Sequence, residues 1–181
     1  MKRSIVIAVC TLFAVMAFLY SCKTDTPLSI NEYITTARVI AINQTDLTID
    51  TFQYINFNEA VANPPQYVDT IRLKANTIYS IQLKLMNEAS NPSLDLSDSI
   101  TALGDNHLIV YNMDPSSDMV TVKIKDKDSK GLPIGLMSTW QVKDTTNGSL
   151  RLILYHQPGS KNGTITPGNV DFEADYPIVV K

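Results

Sequence analysis

The chain has only two histidines, His107 and His156, and they are the first residues to ask about chemistry. Imidazole combined with carboxylate suits zinc or copper, and Glu88, Asp105 and Asp126 are acids that a fold can bring near them. No local spacing such as His-x-Glu-x-x-His marks a site. His107, His156 and Glu88 are therefore candidate ligands. The competing reading is a pair of structural histidines bonded to loop carbonyls at strand ends. Rings more than roughly 8 Å apart cannot share one ion at ~2.0–2.1 Å per Zn–N bond, so their separation tests the idea. Asp126-Lys127-Asp128-Ser129-Lys130-Gly131 has the Asp-x-Asp-x-x-Gly look of a calcium loop. Lys130 occupies what would be the third oxygen-donor position, and no glutamate lies at the right offset for bidentate ligation. A solvated strand connection, with Gly131 at positive φ, accounts for the same residues.

Aromatic side chains offer a second kind of site. Phe52, Tyr54, Phe57 and Tyr67 bracket a long, partly irregular stretch, 52–67, of the sort that carries binding. With Tyr33, Tyr111, Trp140 and Tyr155 they could make a stacking surface for a sugar or flat ligand. A loop covering a sandwich edge is the plainer reading, and Trp140 shares parity with Leu136 and Val142, which places it in the core. Catalytic signatures are missing. There is no Gly-x-Ser-x-Gly elbow and no glycine-rich phosphate loop. Glu173 and Asp175 sit on the outward parity of a strand, as edge charges do. A non-enzymatic protein is expected.

Cysteine usage points to lipid chemistry. Met1-Lys2-Arg3 is a positive start, Ile5 to Tyr20 is almost wholly apolar, and Ser21-Cys22 precedes a polar stretch. This is the pattern of a secretory signal. Its apolar run of about 16 residues is short for the ~20 that span a bilayer. Leu19-Tyr20-Ser21-Cys22 looks like a bacterial lipobox, so residues 1–21 are expected to be a lipoprotein signal peptide and Cys22 the lipid-bearing first residue. Two or more acyl chains, at ~0.8 kcal/mol per buried methylene, anchor a protein stably without spanning the membrane. Residues 22–32 then read as a tether and 33–181 as one domain. Lys23 followed by a single Asp25 leaves the periplasmic and surface faces of the outer membrane both open.

Loss of Lys2 and Arg3 with the signal takes the formal charge from −3 to −5. A mildly acidic chain disfavours nucleic acid or an anionic membrane as partner. Cys10 would leave with the signal and Cys22 would be acylated, so no disulfide is expected despite the permissive compartment.

The elements that must position these residues are strands. Tyr79, Ile81, Leu83 and Leu85 share one parity, as do Leu150, Leu152 and Leu154, and Phe172, Ala174, Tyr176, Ile178 and Val180, each set alternating mostly with polar residues. Strands are expected near 34–42, 46–55, 67–74, 77–86, 107–113, 118–125, 136–143, 148–156 and 170–180. Turn signals lie at Asn63-Pro64-Pro65, Ala75-Asn76, Asp114-Pro115, Lys130-Gly131, Asn147-Gly148 and Pro158-Gly159. Asn147-Gly148 predicts a hairpin. One short helix is expected within 91–103, with Pro92 in its first turn. The fold class is all-β, an immunoglobulin-like antiparallel β-sandwich of seven to nine strands. On that fold His156 continues the parity of Leu154 to the rim.

The chain resembles the small lipoproteins of Bacteroidota commonly labelled type 1 periplasmic-binding-fold proteins. The matching stretches run from Ile34-Thr35-Thr36 through Leu73-Lys74-Ala75-Asn76-Thr77-Ile78-Tyr79, Leu85-Met86-Asn87-Glu88-Ala89-Ser90-Asn91-Pro92 and Asp105-Asn106-His107. They continue with Asp126 to Leu136 and Leu152-Ile153-Leu154-Tyr155-His156. The resemblance implies a cell-envelope lipoprotein working beside a TonB-dependent outer-membrane receptor. Glu88, His107 and His156 fall on the family's recurrent polar motifs. Two departures thin any metal-capturing surface: Leu108 stands where glutamine is usual, and the acidic run before it is reduced to Ser97, Asp98 and Asp105. The family label implies alternating strands and helices, whereas the period-two pattern implies a sandwich. Three functions are thus in play. They are a receptor-accessory binding lipoprotein, a zinc- or copper-binding lipoprotein, and a structural or adhesive surface module.

Overall fold

Successive side chains of a pleated strand point to opposite faces, and along most strands of this chain the buried parity is the apolar one. The computed structural model describes residues 33–58, 64–114 and 120–181. The expected signal 1–21, Cys22 and the tether 22–32 lie outside the described residues, as do Asn63 and Pro115 of two expected turns. The strands are β1 (Thr36–Asn43), β2 (Ile49–Ile55), β3 (Tyr67–Val68), β4 (Ile71–Leu73), β5 (Ile78–Asn87), β6 (Leu94–Asp95), β7 (His107–Asp114), β8 (Val120–Ile124), β9 (Met137–Val142), β10 (Thr146–His156) and β11 (Asn169–Val180). One α-helix, α1 (Ser97–Ala102), runs into a 3-10 turn at Gly104–Asn106.

Two sheets result. The first has the order β3-β2-β1-β5-β9-β8, with β6 added beside β5, and the second has the order β4-β11-β10-β7. Take β1, β5, β7, β8, β9, β10 and β11 in chain order as strands A to G. The sheets then read ABED and CFG, the constant-type immunoglobulin arrangement. The all-β sandwich expected from the alternation is therefore the observed fold. Its strands number eleven among the described residues, not seven to nine. The pairing is also not purely antiparallel, because β4 lies parallel to β11. The surplus has a simple origin. The stretch 67–74 divides into β3, which pairs with β2 in the first sheet, and β4, which pairs with β11 in the second.

Inner faces complement each other in size. Ala37, Val39 and Ala41 of β1 are fully buried, and the small alanines leave room for Tyr176 of β11. The Tyr176 hydroxyl donates to the Ala37 carbonyl at 2.9 Å, which tethers the sheets across the core. Burial pushes that phenol far above its ordinary range. Trp140 is wholly buried, as its parity implied, with its ring edge-on to Tyr111 at 5.8 Å.

Two local expectations need correction. Asn147-Gly148 does not turn; both residues lie inside β10, opposite Val179 and Ile178 of β11. The chain passes there from β9 in one sheet to β10 in the other, so a two-residue hairpin cannot make the connection. Pro92 is not in the first turn of the helix, because Leu94 and Asp95 pair with Asn87 and Met86 before α1 starts at Ser97. Ser97 then docks the helix, its Oγ accepting the Leu85 N–H at 3.0 Å. The turns at Asn76 (φ 55), Gly131 (φ 79) and Gly159 (φ 67) do reverse through positive φ.

Candidate functional site

Three connections gather at one end of the sandwich: 88–106 leading into β7, 125–136 between β8 and β9, and 157–168 between β10 and β11. In variable immunoglobulin domains, connections at one end form the binding surface. The first described residues arrive at this same end. Thr35 donates its N–H to the Met86 carbonyl, and its Oγ1 accepts from the Glu88 N–H at 2.8 Å.

Both histidines are here. His107 opens β7 and His156 closes β10, and the two are direct cross-strand partners. Their ring centroids stand 5.1 Å apart at an interplanar angle of 15°, a stacked pair. His107 is buried, with Nδ1 3.0 Å from the Leu103 carbonyl. His156 leaves 40% of its side chain exposed at the rim and sets Nδ1 3.5 Å from Asp171 Oδ2. The separation falls within the limit for sharing an ion, but nitrogen lone pairs lie in the ring planes. Stacked rings aim them side by side, so one ring must turn before both can meet a single metal.

The carboxylates do not join them. Glu88 turns to the first sheet, where it pairs with Arg38 and accepts from Thr36 Oγ1 at 2.8 Å. Asp105 accepts from the Ser129 N–H at 3.0 Å and from its hydroxyl. Asp126 accepts the N–H groups of Gly135 and Leu136 at 3.0 and 2.8 Å. Among the described residues no three His, Cys, Asp or Glu side chains cluster as a metal site. Nor is 126–131 arranged as a calcium loop, since its aspartates are spent on backbone N–H groups and on a lysine.

That lysine is what sequence reasoning missed. Lys161 and Asp128 form an ion pair at 2.9 Å with both side chains wholly excluded from solvent. Lys161 Nζ also donates to the Gly104 carbonyl at 2.8 Å. The three connections thereby share one buried polar knot. Burial opposes ionisation of Asp128. The Lys161 ammonium and the N–H groups of Leu132 and Lys130 outweigh it and hold the carboxyl below the usual carboxylate range. Gly104 makes the approach possible, because a Cβ there would stand 2.6 Å from Ile134 Cδ1. Gln157 adds a second tie through its backbone N–H, which donates to the Asn106 carbonyl at 2.7 Å, while its side chain folds its own connection by donating to the Thr164 and Pro167 carbonyls at 2.7 and 2.5 Å.

The aromatic residues divide. Phe52 and Tyr54 are buried, Tyr54 packing against Phe172 and Tyr176 at 5.9 and 6.1 Å, so neither forms a stacking platform. Phe57 and Tyr67 are exposed. Phe57 is held by Gln66 and Tyr33. Tyr67 donates to Asp69 at 2.6 Å, a bond that raises its pKa. A different apolar surface lies where the β7 and β8 edges face each other. It is an open groove of about 270 Å³ lined by Val110, Tyr111, Val122, Ile124, Pro133 and Ile165.

Comparison with protein-family models, with curated proteins and with solved structures finds no match to this chain. The functional reading therefore rests on the residues and their geometry.

Proposed function

We propose that this protein is a non-enzymatic cell-envelope lipoprotein. It is anchored in the outer membrane through Cys22 and presents the loop end of its sandwich to a TonB-dependent receptor during nutrient uptake. The observation that carries this reading is the coincidence of two features at one end. Tyr33 and Thr35, the first described residues, lie where the three braced connections gather. In this reading the end at which the domain begins is also the end offered to the receptor. The sequence features at 1–22 and the resemblance described above support the same assignment.

The test is purification of the full lipidated chain from native outer membranes after cross-linking, with Cys22→Ser and Ile165→Asp variants beside it. Recovery of a TonB-dependent receptor with the wild type, reduced at least tenfold by either variant, is the expected result. Recovery of the protein without such a receptor would reject the assignment.

The 5.1 Å separation of the histidine rings favours a second reading, a zinc- or copper-binding lipoprotein. Titration of the purified protein with each metal decides it. Stoichiometric binding that His107→Ala/His156→Ala abolishes would establish the site, and binding unchanged by the double substitution would make the rings structural.

A further inference from the structure

The buried pair Asp128 and Lys161 is arranged for more than attraction. Three observations meet there. First, Lys161 Nζ lies 2.9 Å from Asp128 Oδ2, in direct contact with the carboxyl group. Second, Asp128 Oδ1 accepts two backbone N–H groups, from Lys130 at 2.9 Å and from Leu132 at 2.8 Å. Such a pair of fixed donors stabilises negative charge that builds on a carbonyl oxygen during acyl transfer. Third, neither side chain has solvent-exposed surface.

An ammonium brings three donors, and among the described residues only the Gly104 carbonyl accepts from Lys161 Nζ in good geometry. A buried ion pair gives back much of its attraction in desolvation. An amide has one N–H and one carbonyl, and the site supplies a partner for each. Gly104 O would take the N–H, and the Lys130 and Leu132 N–H groups would hold the oxygen.

We infer that Asp128 and Lys161 condense to an intramolecular isopeptide bond that joins the β8–β9 connection to the β10–β11 connection. The ammonium first passes a proton to Oδ2, giving neutral amine and neutral acid, the pair of forms that reacts. The Nζ lone pair attacks Cγ, and the C–N bond forms while charge collects on Oδ1 against the two N–H donors. The Cγ–Oδ2 bond then breaks. Oδ2 leaves as water, carrying the transferred proton and a second one from Nζ. No oxidant or cofactor takes part, and the remaining Nζ hydrogen stays on Gly104 O. The inference is independent of the proposed receptor role.

Trypsin digestion of the folded full-length protein, followed by tandem mass spectrometry, tests it. A modified Lys161 resists cleavage, so the expected product is a branched peptide. It joins Asp128-Ser129-Lys130 to the 152–181 segment and is lighter than its two parts by one water. Lys161→Arg, and wild-type chain kept in denaturant from synthesis onward, should yield only linear peptides. If folded wild type releases linear Asp128-Ser129-Lys130 and is cut after Lys161, the inference is overturned. Loss of water confined to an unbranched Asp128-Ser129 peptide, as a succinimide would give, overturns it equally.

Discussion

The two ends of the sandwich are held in opposite ways. At the loop end, polar groups from three connections are buried together, with Lys161 and Asp128 excluded from solvent between Gly104 and the 128–132 turn. At the far end the β1–β2 turn is held by exposed polar contacts. Asn43 Oδ1 accepts the Thr45 N–H, Asp46 caps Thr48, and the Asp46–Lys74 ion pair is exposed. Leu47 there is 73% exposed in a left-handed conformation (φ 58), and Ile49 beside it is 64% exposed. The difference shows how one sheet pair supports a braced surface at one end and an ordinary turn at the other. Strand pairing is shared; what differs is whether the ion pair between connections is buried or left in water.

The largest expected effect comes from breaking the braced end. Lys161→Met strands a buried carboxylate and should cost about 3–5 kcal/mol in denaturant unfolding, because the surviving charge has no counterion. The same group sets a pH test. Asp128 is held below its ordinary range when folded, so as an ion pair it stabilises above the unfolded carboxylate pKa. That contribution disappears as pH falls through the depressed folded value. A protein already joined through an amide would not show this acid loss. Gly104→Ala should cost about 1–3 kcal/mol, since the new methyl meets Ile134 and spreads the connections apart. At the far end the sign reverses. Leu47→Asn suits the left-handed conformation and should add up to about 1 kcal/mol to stability. Smallest of all, Asp46→Asn should leave the unfolding midpoint unchanged within error. Lys74 and Thr48 lower the pKa of Asp46, but water screens an exposed pair. If Asp46→Asn proved as damaging as Lys161→Met, the contrast between the two ends would be lost.

Much of the frame was legible because period-two alternation is a local property. Leu150, Leu152 and Leu154 announce β10, and Phe172 to Val180 announce β11, whatever lies across the sheet. Errors arose where a segment's role depends on which sheet it serves. Asn147-Gly148 has the composition of a turn but lies in a strand, because β9 and β10 belong to different sheets. The 67–74 stretch reads as one strand and serves two sheets. The histidine pairing could be foreseen only if β7 and β10 proved to be neighbours, which they are. Glu88 was drawn away from the histidines by Arg38 and Thr36, fifty residues and more before it in the chain. Lys161 gave no warning at all. Ser160-Lys161-Asn162-Gly163 has the composition of a solvated loop, and its burial depends on Gly104 and Asp128, neither of which is near it in sequence.

The bond from Tyr176 to Ala37 spans 139 residues. It links the first strand of the sandwich to the last, and β11 also stands between β4 and β10 in the second sheet. A chain synthesised only as far as β10 therefore lacks the strand that closes both the sheet and the core. Contacts so distant in sequence form late and slowly. The fold itself postpones closure until β11 is made, so the core stays open until the last strand of the sandwich is available.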